Sequence, residues 1–241
     1  MASRRAMLPI VIINPNSTEA VTVGMRAAVK PLLQPDGPRI ECVTLSGGPP
    51  GIETDQHVAA AVQPICDVIR ERQDAASAFV IGCYSDPGIR EARAIGGTPI
   101  FGIAESAMLT AMTRGARFGV ISILEQSIPR HERYVCELGF EKRAAGDRAI
   151  GLGVTELADG ERMFARMLEV AVRLRDEDGA DVLILGCAGM ARYCGRLEQS
   201  VSLPVVEPTQ AATTFALGSS LLAVETAEFH DNQHPLENGE N

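Results

Sequence analysis

The sequence predicts an α/β protein with two pseudo-symmetric lobes, each a mainly parallel sheet flanked by helices. Short apolar runs alternate with longer amphipathic segments along the 241 residues, a pattern typical of parallel sheets with helices on both faces. The chain also repeats itself loosely, since a strand followed by a polar loop occurs at Val11–Ser17 and again at Gly119–Ser127. Each copy precedes a Gly-Cys turn, at Cys83 and at Cys187. We therefore expect two lobes with the active site in the cleft between them.

Apolar runs and amphipathic segments predict the individual elements in order. The predicted strands are Ile10–Ile13, Ile40–Leu45, Phe79–Ile81, Pro99–Ile103, Phe118–Ile123, Val182–Leu185 and Val205–Val206. The predicted helices are Thr18–Lys30, His57–Arg72, Pro87–Ile95, Ala104–Arg114, Pro129–Leu138, Gly160–Asp176 and Gln210–Val224. The sixth helix is the clearest, because Met163, Met167, Val170 and Leu174 repeat on one face and are expected to be core residues.

The order of these elements also predicts the domain organisation. The first lobe is expected to comprise residues 8–102 together with about 208–226, and the second lobe residues 103–207. Residues 227–241 are polar and acidic, and we expect them to form a disordered or loosely attached tail.

Composition limits the partners and the location of the protein. The net charge of −9 argues against a nucleic-acid surface or an anionic membrane surface. No stretch approaches the roughly 20 apolar residues of a membrane span. The apolar run Leu8–Ile13 is too short for the core of a signal peptide. We therefore predict a cytoplasmic protein.

Cysteine and lysine usage narrows the chemistry further. In a chain without a secretion signal, the six cysteines are expected to be free thiols. They have no metal-ligand spacing, so no metal site is predicted. Lys30 and Lys142 are the two lysines beside 20 arginines, and neither has the setting of a Schiff-base residue. Pyridoxal phosphate chemistry is therefore disfavoured.

The most informative residues are Cys83 and Cys187, each of which follows an apolar run that ends in glycine. Ligands of parallel sheets bind beyond the carboxyl ends of the strands, where helical N–H groups can lower the pKa of a thiol. Asp86 and Pro87 have the pattern of an N-cap and a first helical residue, which would place Cys83 beside a helix N-terminus. The second turn continues with small residues and offers mainly backbone N–H groups.

Two opposed thiols suit the inversion of a carbon centre. One thiolate would remove a proton from one face while the other thiol returns a proton to the opposite face. The intermediate would be an enolate, which backbone N–H donors stabilise. The alternative is that both cysteines are simply small residues that fit tight strand-to-helix turns.

Several segments resemble the hydantoin racemases, within the aspartate/glutamate/hydantoin racemase superfamily. The matching segments are INPNST (13–18), GIE (51–53), GCYSDPG (82–88), FGIAESAM (101–108), SIP (127–129), LGF (138–140) and LGCAGM (185–190). The resemblance implies that Cys83 and Cys187 are the two acid/base thiols of a cofactor-independent racemase. It also implies a homo-oligomer with the two-lobed fold and a small-molecule substrate, a hydantoin or a related cyclic ureide.

The candidate substrate-binding residues lie in the loops at the predicted cleft. They are Asn14, Asn16, Gly47, Tyr84, Ser85, Ser122, Ala188 and Gly189. By the resemblance Asn16 faces the cleft, where its amide would hold a ring carbonyl or N–H. For both asparagines, helix capping and turn formation are the competing interpretation.

The chain departs from the family pattern at two places. Tyr84 and Ser85 stand where hydantoin racemases usually have Phe and then Asp or Gly, and VVEP at Val205–Pro208 replaces Val-Ile-Asp-Gly. These departures leave the ring substituent undetermined.

Other functions remain open from the sequence. An aspartate or glutamate racemase is the main alternative, although Ala188 and Gly189 replace the polar side chains that would hold a charged amino acid. A decarboxylase of the superfamily needs one cysteine, so the pair argues against it. An enzyme resembling maleate isomerase, or a non-catalytic protein that binds a small ligand, would also fit the fold.

Overall fold

Two four-stranded parallel sheets form the centre of the protein. A computed structural model describes residues 8–154 and 160–231. The strands are β1 (Ile10–Asn14), β2 (Ile40–Thr44), β3 (Ala78–Ile81), β4 (Ile100–Gly102), β5 (Phe118–Ser122), β6 (Ala144–Ala149), β7 (Val182–Leu185) and β8 (Val205–Val206). The first sheet has the order β2-β1-β3-β4 and the second the order β6-β5-β7-β8. Because the second order repeats the first, the predicted two-lobed, pseudo-symmetric α/β fold is confirmed.

Helices connect the parallel strands and cover the sheets. They are α1 (Glu19–Val29), α2 (Asp55–Arg72), α3 (Ile89–Ile95), α4 (Ile103–Met112), α5 (Ile128–Glu137), α6 (Gly160–Asp176), α7 (Cys194–Val201) and α8 (Pro208–Asp231). Short 3-10 helices lie at Lys30–Leu32, Glu125–Ser127 and Ala188–Tyr193.

The middle strands of each sheet are buried along their whole length. Strands β1, β3, β5 and β7 contain no exposed residue, which explains their continuous apolar sequences. The predicted stripe of α6 is core as expected, since Met163, Met167, Val170 and Leu174 are all buried.

Two elements were not predicted from the sequence. Strand β6 reads AAGDRA and lies at the edge of the second sheet, paired with β5. Its residues are partly exposed, so its sequence lacks the apolar run of a central strand. Helix α7 follows the second Gly-Cys turn and buries Leu197 and Val201.

The last helix follows β8 of the second sheet and returns to pack on the first sheet. Helix α8 packs against β1, β3 and β4 and against helices α1 and α4. It continues to Asp231, so residues 227–231, predicted to belong to a disordered tail, are helical. Residues 232–241 of that predicted tail lie outside the described residues. Within the described part of the chain, no helix is both long and apolar enough to cross a membrane.

Candidate active site

The two Gly-Cys turns are constructed in the same way. Gly82 N–H donates to the Ile13 carbonyl at 2.8 Å, and Gly186 N–H donates to the Ile121 carbonyl at 2.8 Å. A Cβ atom at Gly82 would lie 2.9 Å from that first carbonyl oxygen, and one at Gly186 would lie 2.7 Å from the second. Glycine is therefore required at both turns, because a side chain there would collide with the backbone of the adjacent strand. The cysteine comes next in both lobes.

Both cysteines line one cavity between the lobes. Of the predicted substrate-binding residues, Asn16, Tyr84, Ser85 and Ala188 line the same cavity. Its volume is about 30 Å³, room for about one or two water molecules. A ring substrate is larger than this cavity, so the groups that line it must move for the ring to bind. The structure thus brings together, from two sheets, the two thiols that the sequence singled out.

Burial and nearby donors have opposite effects on the Cys83 thiol. Desolvation raises its pKa to about 11, and the Asp86 carboxylate acts in the same direction. The backbone N–H and hydroxyl of Ser85 and the Arg130 guanidinium partly offset this by favouring the thiolate. Arg130 also donates from Nε to Ser85 Oγ at 2.9 Å, so a chain of donors leads to the sulfur.

The Cys187 thiol lies near two carboxylates, those of Glu53 and Glu207. Burial raises its pKa to about 12, while the Gly189 backbone N–H, which bonds to the sulfur, favours the thiolate. The charges of Cys83, Glu53 and Glu207 add to the upward shift of the pKa. The two thiols therefore have unequal surroundings, and the nearby guanidinium favours the thiolate at Cys83.

Asp86 does not cap the helix that follows it, contrary to the sequence-based interpretation. Helix α3 begins at Ile89 after Gly88, which has a φ of 71°. The Asp86 carboxylate instead accepts from the backbone N–H groups of Ala104 and Glu105, both at 2.9 Å, and so caps α4. It also accepts from Tyr134 Oη at 3.1 Å. Asp86 therefore joins the Cys83 turn to α4 and α5.

Two basic side chains of the site, both at the start of α5, were missed by sequence reasoning. Arg130 and His131 line the cavity with the cysteines. The Arg130 side chain is 10% exposed and pairs with Asp55 Oδ1 at 2.6 Å. His131 Nδ1 lies 2.8 Å from Asp147 Oδ2 and 3.1 Å from Ser122 Oγ. The one signal for them was the SIP segment of the family resemblance, which immediately precedes both residues.

The other predicted substrate-binding residues do not line the cavity. Asn14 is fully buried and donates to Thr22 Oγ1 at 3.0 Å, so it holds the loop after β1. Ser122 is buried and contacts His131 rather than lining the cavity. Gly47 is exposed and does not line the cavity. Gly189 acts through its backbone N–H at Cys187.

Asn16 keeps a donor for the cavity. Its Oδ1 accepts from Thr18 N–H at 3.0 Å and from Asn14 Nδ2 at 3.2 Å. No hydrogen bond within the described residues uses its Nδ2, which leaves an N–H₂ group for a ligand carbonyl.

The Glu207 departure has a structural explanation. Its buried carboxylate accepts from the backbone N–H of Thr209 at 3.0 Å and of Gln210 at 2.6 Å, which caps α8. Burial raises the pKa of this carboxyl group. Glu207 thus anchors the return helix and contributes to the environment of Cys187.

One partly buried thiol from each lobe lies in a shared cleft at equivalent strand ends, the arrangement expected from the sequence for an isomerase of the racemase class. The Asp/Glu/Hydantoin racemase family matches residues 10–216. The chain belongs to this family, and the predicted racemase assignment is confirmed.

The chain is similar over most of its length to proteins named as hydantoin or allantoin racemases. The hydantoin racemase of Pseudomonas sp. (strain NS671) is 31% identical over 230 residues, 95% of this chain and 92% of that protein. The hydantoin racemase of Rhizobium meliloti is 34% identical over 211 residues, 85% of this chain and 86% of that protein. The solved allantoin racemase of Klebsiella pneumoniae has a TM-score of 0.85 at 30% identity, covering 97% of this chain and 96% of its own.

Proposed function

We propose that the protein inverts the C5 stereocentre of 5-substituted hydantoins, or of allantoin-like cyclic ureides. The observation that carries the proposal is that Cys83 and Cys187 leave equivalent turns and line one cavity. The names of the hydantoin and allantoin racemases similar to this chain support the choice of a cyclic ureide.

The two thiols exchange roles during one turnover. The Cys83 thiolate takes the C5 proton of one enantiomer, and the electron pair of that C–H bond moves into the adjacent C4 carbonyl to give an enolate. The Cys187 thiol then donates its proton to the opposite face of C5. The product leaves Cys83 protonated and Cys187 as the thiolate. The same steps in reverse invert the other enantiomer.

Thiol ionisation is the demanding part of this mechanism. With its pKa raised to about 11, Cys83 is mostly protonated at neutral pH. That value already includes the favourable effects of Ser85 and Arg130, and the same guanidinium favours an enolate in the cleft. In this proposal the Asn16 N–H₂ group holds a ring carbonyl.

The walls of the cleft favour a neutral ring over a charged amino acid. Val21, Ile52, Ile123 and Val154 contribute apolar surface. The turn after Cys187 continues with Ala188 and Gly189, which lack polar side chains for an ammonium or carboxylate group. An uncharged cyclic amide leaves fewer buried charges unpaired in such a cleft.

Deuterium exchange tests the proposal directly. Single enantiomers of 5-benzylhydantoin, 5-isopropylhydantoin and allantoin are incubated in D₂O, followed by NMR and polarimetry, with aspartate and glutamate as comparison substrates. We expect deuterium at C5 together with loss of optical rotation. Exchange confined to the free amino acids would contradict the substrate class, and affinity without any exchange would indicate a binding protein.

Single cysteine variants test the two-thiol mechanism. In Cys187→Ala the remaining thiol faces one enantiomer, so exchange of that enantiomer without inversion is expected, and Cys83→Ala should do the same for the other. Cys66→Ala removes a buried thiol of α2 away from the cleft and should racemise like the parent. Parent-like racemisation by both cleft variants would overturn the mechanism.

A further inference from the structure

We propose that the C5 substituent of the substrate binds in a second, larger cavity beside the cleft, and that this cavity selects neutral apolar groups. The inference rests on the function proposed above. The second cavity has a volume of about 380 Å³, against about 30 Å³ for the cavity that holds the thiols. The cleft alone has no room for a side group, whereas the neighbouring space would accommodate a benzyl group.

Two side chains form the wall between the cavities. Tyr84 and His131 line both of them. Their rings meet edge to face, with centroids 5.2 Å apart and an interplanar angle of 80°. Because Tyr84 directly follows Cys83, a substituent on a carbon held at the thiols would meet this wall first.

Tyr84 is the side of the wall that can move. His131 is fixed through Nδ1 by Asp147 and Ser122. The Tyr84 hydroxyl is buried and has no hydrogen-bond partner among the described residues, whereas the neighbouring Tyr134 hydroxyl bonds to Asp86. Packing alone therefore holds the Tyr84 ring, and a buried hydroxyl without a partner opposes its displacement little.

The interior of the second cavity is apolar. Met108, Phe118, Val120 and Val135 line it and belong to one buried cluster. Ala144 of the edge strand packs against the same cluster and also lines the cavity. An alkyl or aryl substituent would gain contacts there and lose contact with water, which favours its binding.

The charged groups around this cavity exclude anionic substituents. Glu132 and Glu141 are exposed residues of its lining, and Asp147 contributes a third carboxylate. His131 is the one basic residue in the lining, and it pairs with Asp147. A carboxymethyl group would therefore meet net negative charge, and a ureido group would leave its polar atoms against apolar walls.

A substituent series on the parent enzyme gives the first test. Values of kcat/KM are compared for 5-benzylhydantoin, 5-methylhydantoin, 5-carboxymethylhydantoin and allantoin. We expect the benzyl compound to exceed the methyl compound at least tenfold, with the carboxymethyl compound and allantoin below both. A preference for allantoin or the carboxymethyl compound would overturn the inference while leaving racemase activity intact. Racemisation of none of the four would contradict the proposed function itself.

Larger side chains at Ala144, which would fill the second cavity, give a second test with a control variant. Ala144→Phe should lower kcat/KM for 5-benzylhydantoin at least tenfold and leave 5-methylhydantoin within twofold, with Ala144→Val intermediate. Ala60→Phe, on an exposed face of α2, should leave the benzyl-to-methyl ratio unchanged. Equal losses on both substrates in the valine variant, or no loss in either Ala144 variant, would refute the substituent pocket.

Discussion

At the scale of single residues, the two thiols differ in the groups that face each sulfur. Cys83 has the Arg130 guanidinium and the Ser85 hydroxyl nearby as well as the Asp86 carboxylate, while Cys187 has the Glu53 and Glu207 carboxylates and the Cys83 thiol. The Arg130 guanidinium therefore favours the thiolate at Cys83. The proposed chemistry therefore depends on Arg130, a residue that reaches the first lobe from the second.

Removing the Arg130 charge should weaken the enzyme through the ionisation of Cys83. In Arg130→Met the pKa of the Cys83 thiol rises, so we expect kcat/KM near pH 8 to fall by about tenfold. The rising limb of the pH–rate profile should move to higher pH. Arg133→Met is the matched control, because Arg133 also pairs with Asp55 but is 59% exposed. An unshifted profile in the Arg130 variant would contradict this role.

The site residues show which information the sequence carries. Cys83 and Cys187 were predictable, because a glycine and a strand end fix their places locally. Asn14 and Ser122 also sit at strand ends, yet their side chains turn to Thr22 and His131 instead of the cavity. Arg130 and His131 reach the cavity through the packing of α5 across the cleft, a long-range contact that no local pattern encodes.

At the scale of elements, the strand-to-turn junction is the unit that the chain uses twice. Strands β3 and β7 are both followed directly by a glycine whose N–H bonds to the neighbouring strand. The central strands were predictable because burial on both faces requires a continuous apolar run. Helix α6 was predictable because burial of one face requires apolar residues at helical spacing. Strand β6 was not predictable in this way, since one pairing partner and partial exposure allow Gly, Asp and Arg within it.

Substituting alanine at the second junction should damage both stability and activity. The Cβ atom of Gly186→Ala would lie 2.7 Å from the Ile121 carbonyl oxygen and 3.2 Å from Ser122 Cα. Because these are backbone atoms, the turn must shift, and we expect a loss of about 1–3 kcal/mol in the free energy of unfolding. Racemisation should fall as well, since Cys187 moves with the turn. The measurements are urea denaturation and kcat/KM.

A second glycine provides the comparison for this substitution. A Cβ atom at Gly195, in α7, would have no heavy atom within 4 Å. Gly195→Ala should therefore leave stability unchanged or raise it by up to about 1 kcal/mol. If Gly186→Ala is as stable as Gly195→Ala, the junction tolerates a side chain and its glycine is not required.

At the scale of the whole molecule, the lobes are joined by charged groups at the cleft. Asp55 of the first lobe pairs with Arg130 and Arg133 of the second, and Glu53 Oε1 accepts from the Val154 N–H at 2.9 Å. Asp86 adds a buried link from the Cys83 turn to α4 and α5. These contacts hold the two sides of the cleft together, and Asp86 fixes the position of the Cys83 turn relative to α4 and α5.

The buried Asp86 carboxyl should make the stability of the whole protein depend on pH. Desolvation raises its pKa from 3.8 to about 7, while its hydrogen bonds with Ala104, Glu105 and Tyr134 act in the opposite direction. The folded state then binds a proton that the unfolded state releases, so this group's contribution to stability falls as pH rises from about 4 to 7. The slope is at most about 1.4 kcal/mol per pH unit.

Comparison with Asp86→Asn isolates this contribution, because the other titrating groups are common to both proteins. The stability advantage of the parent over the variant, measured by urea denaturation, should shrink between pH 4 and 7 and level off above pH 7. Asp181→Asn is the matched control, since Asp181 also accepts from two backbone N–H groups but has a lowered pKa. Its advantage should instead decline as pH falls below about 4. A parent advantage over Asp86→Asn that grows between pH 4 and 7 would show that the three donors outweigh burial.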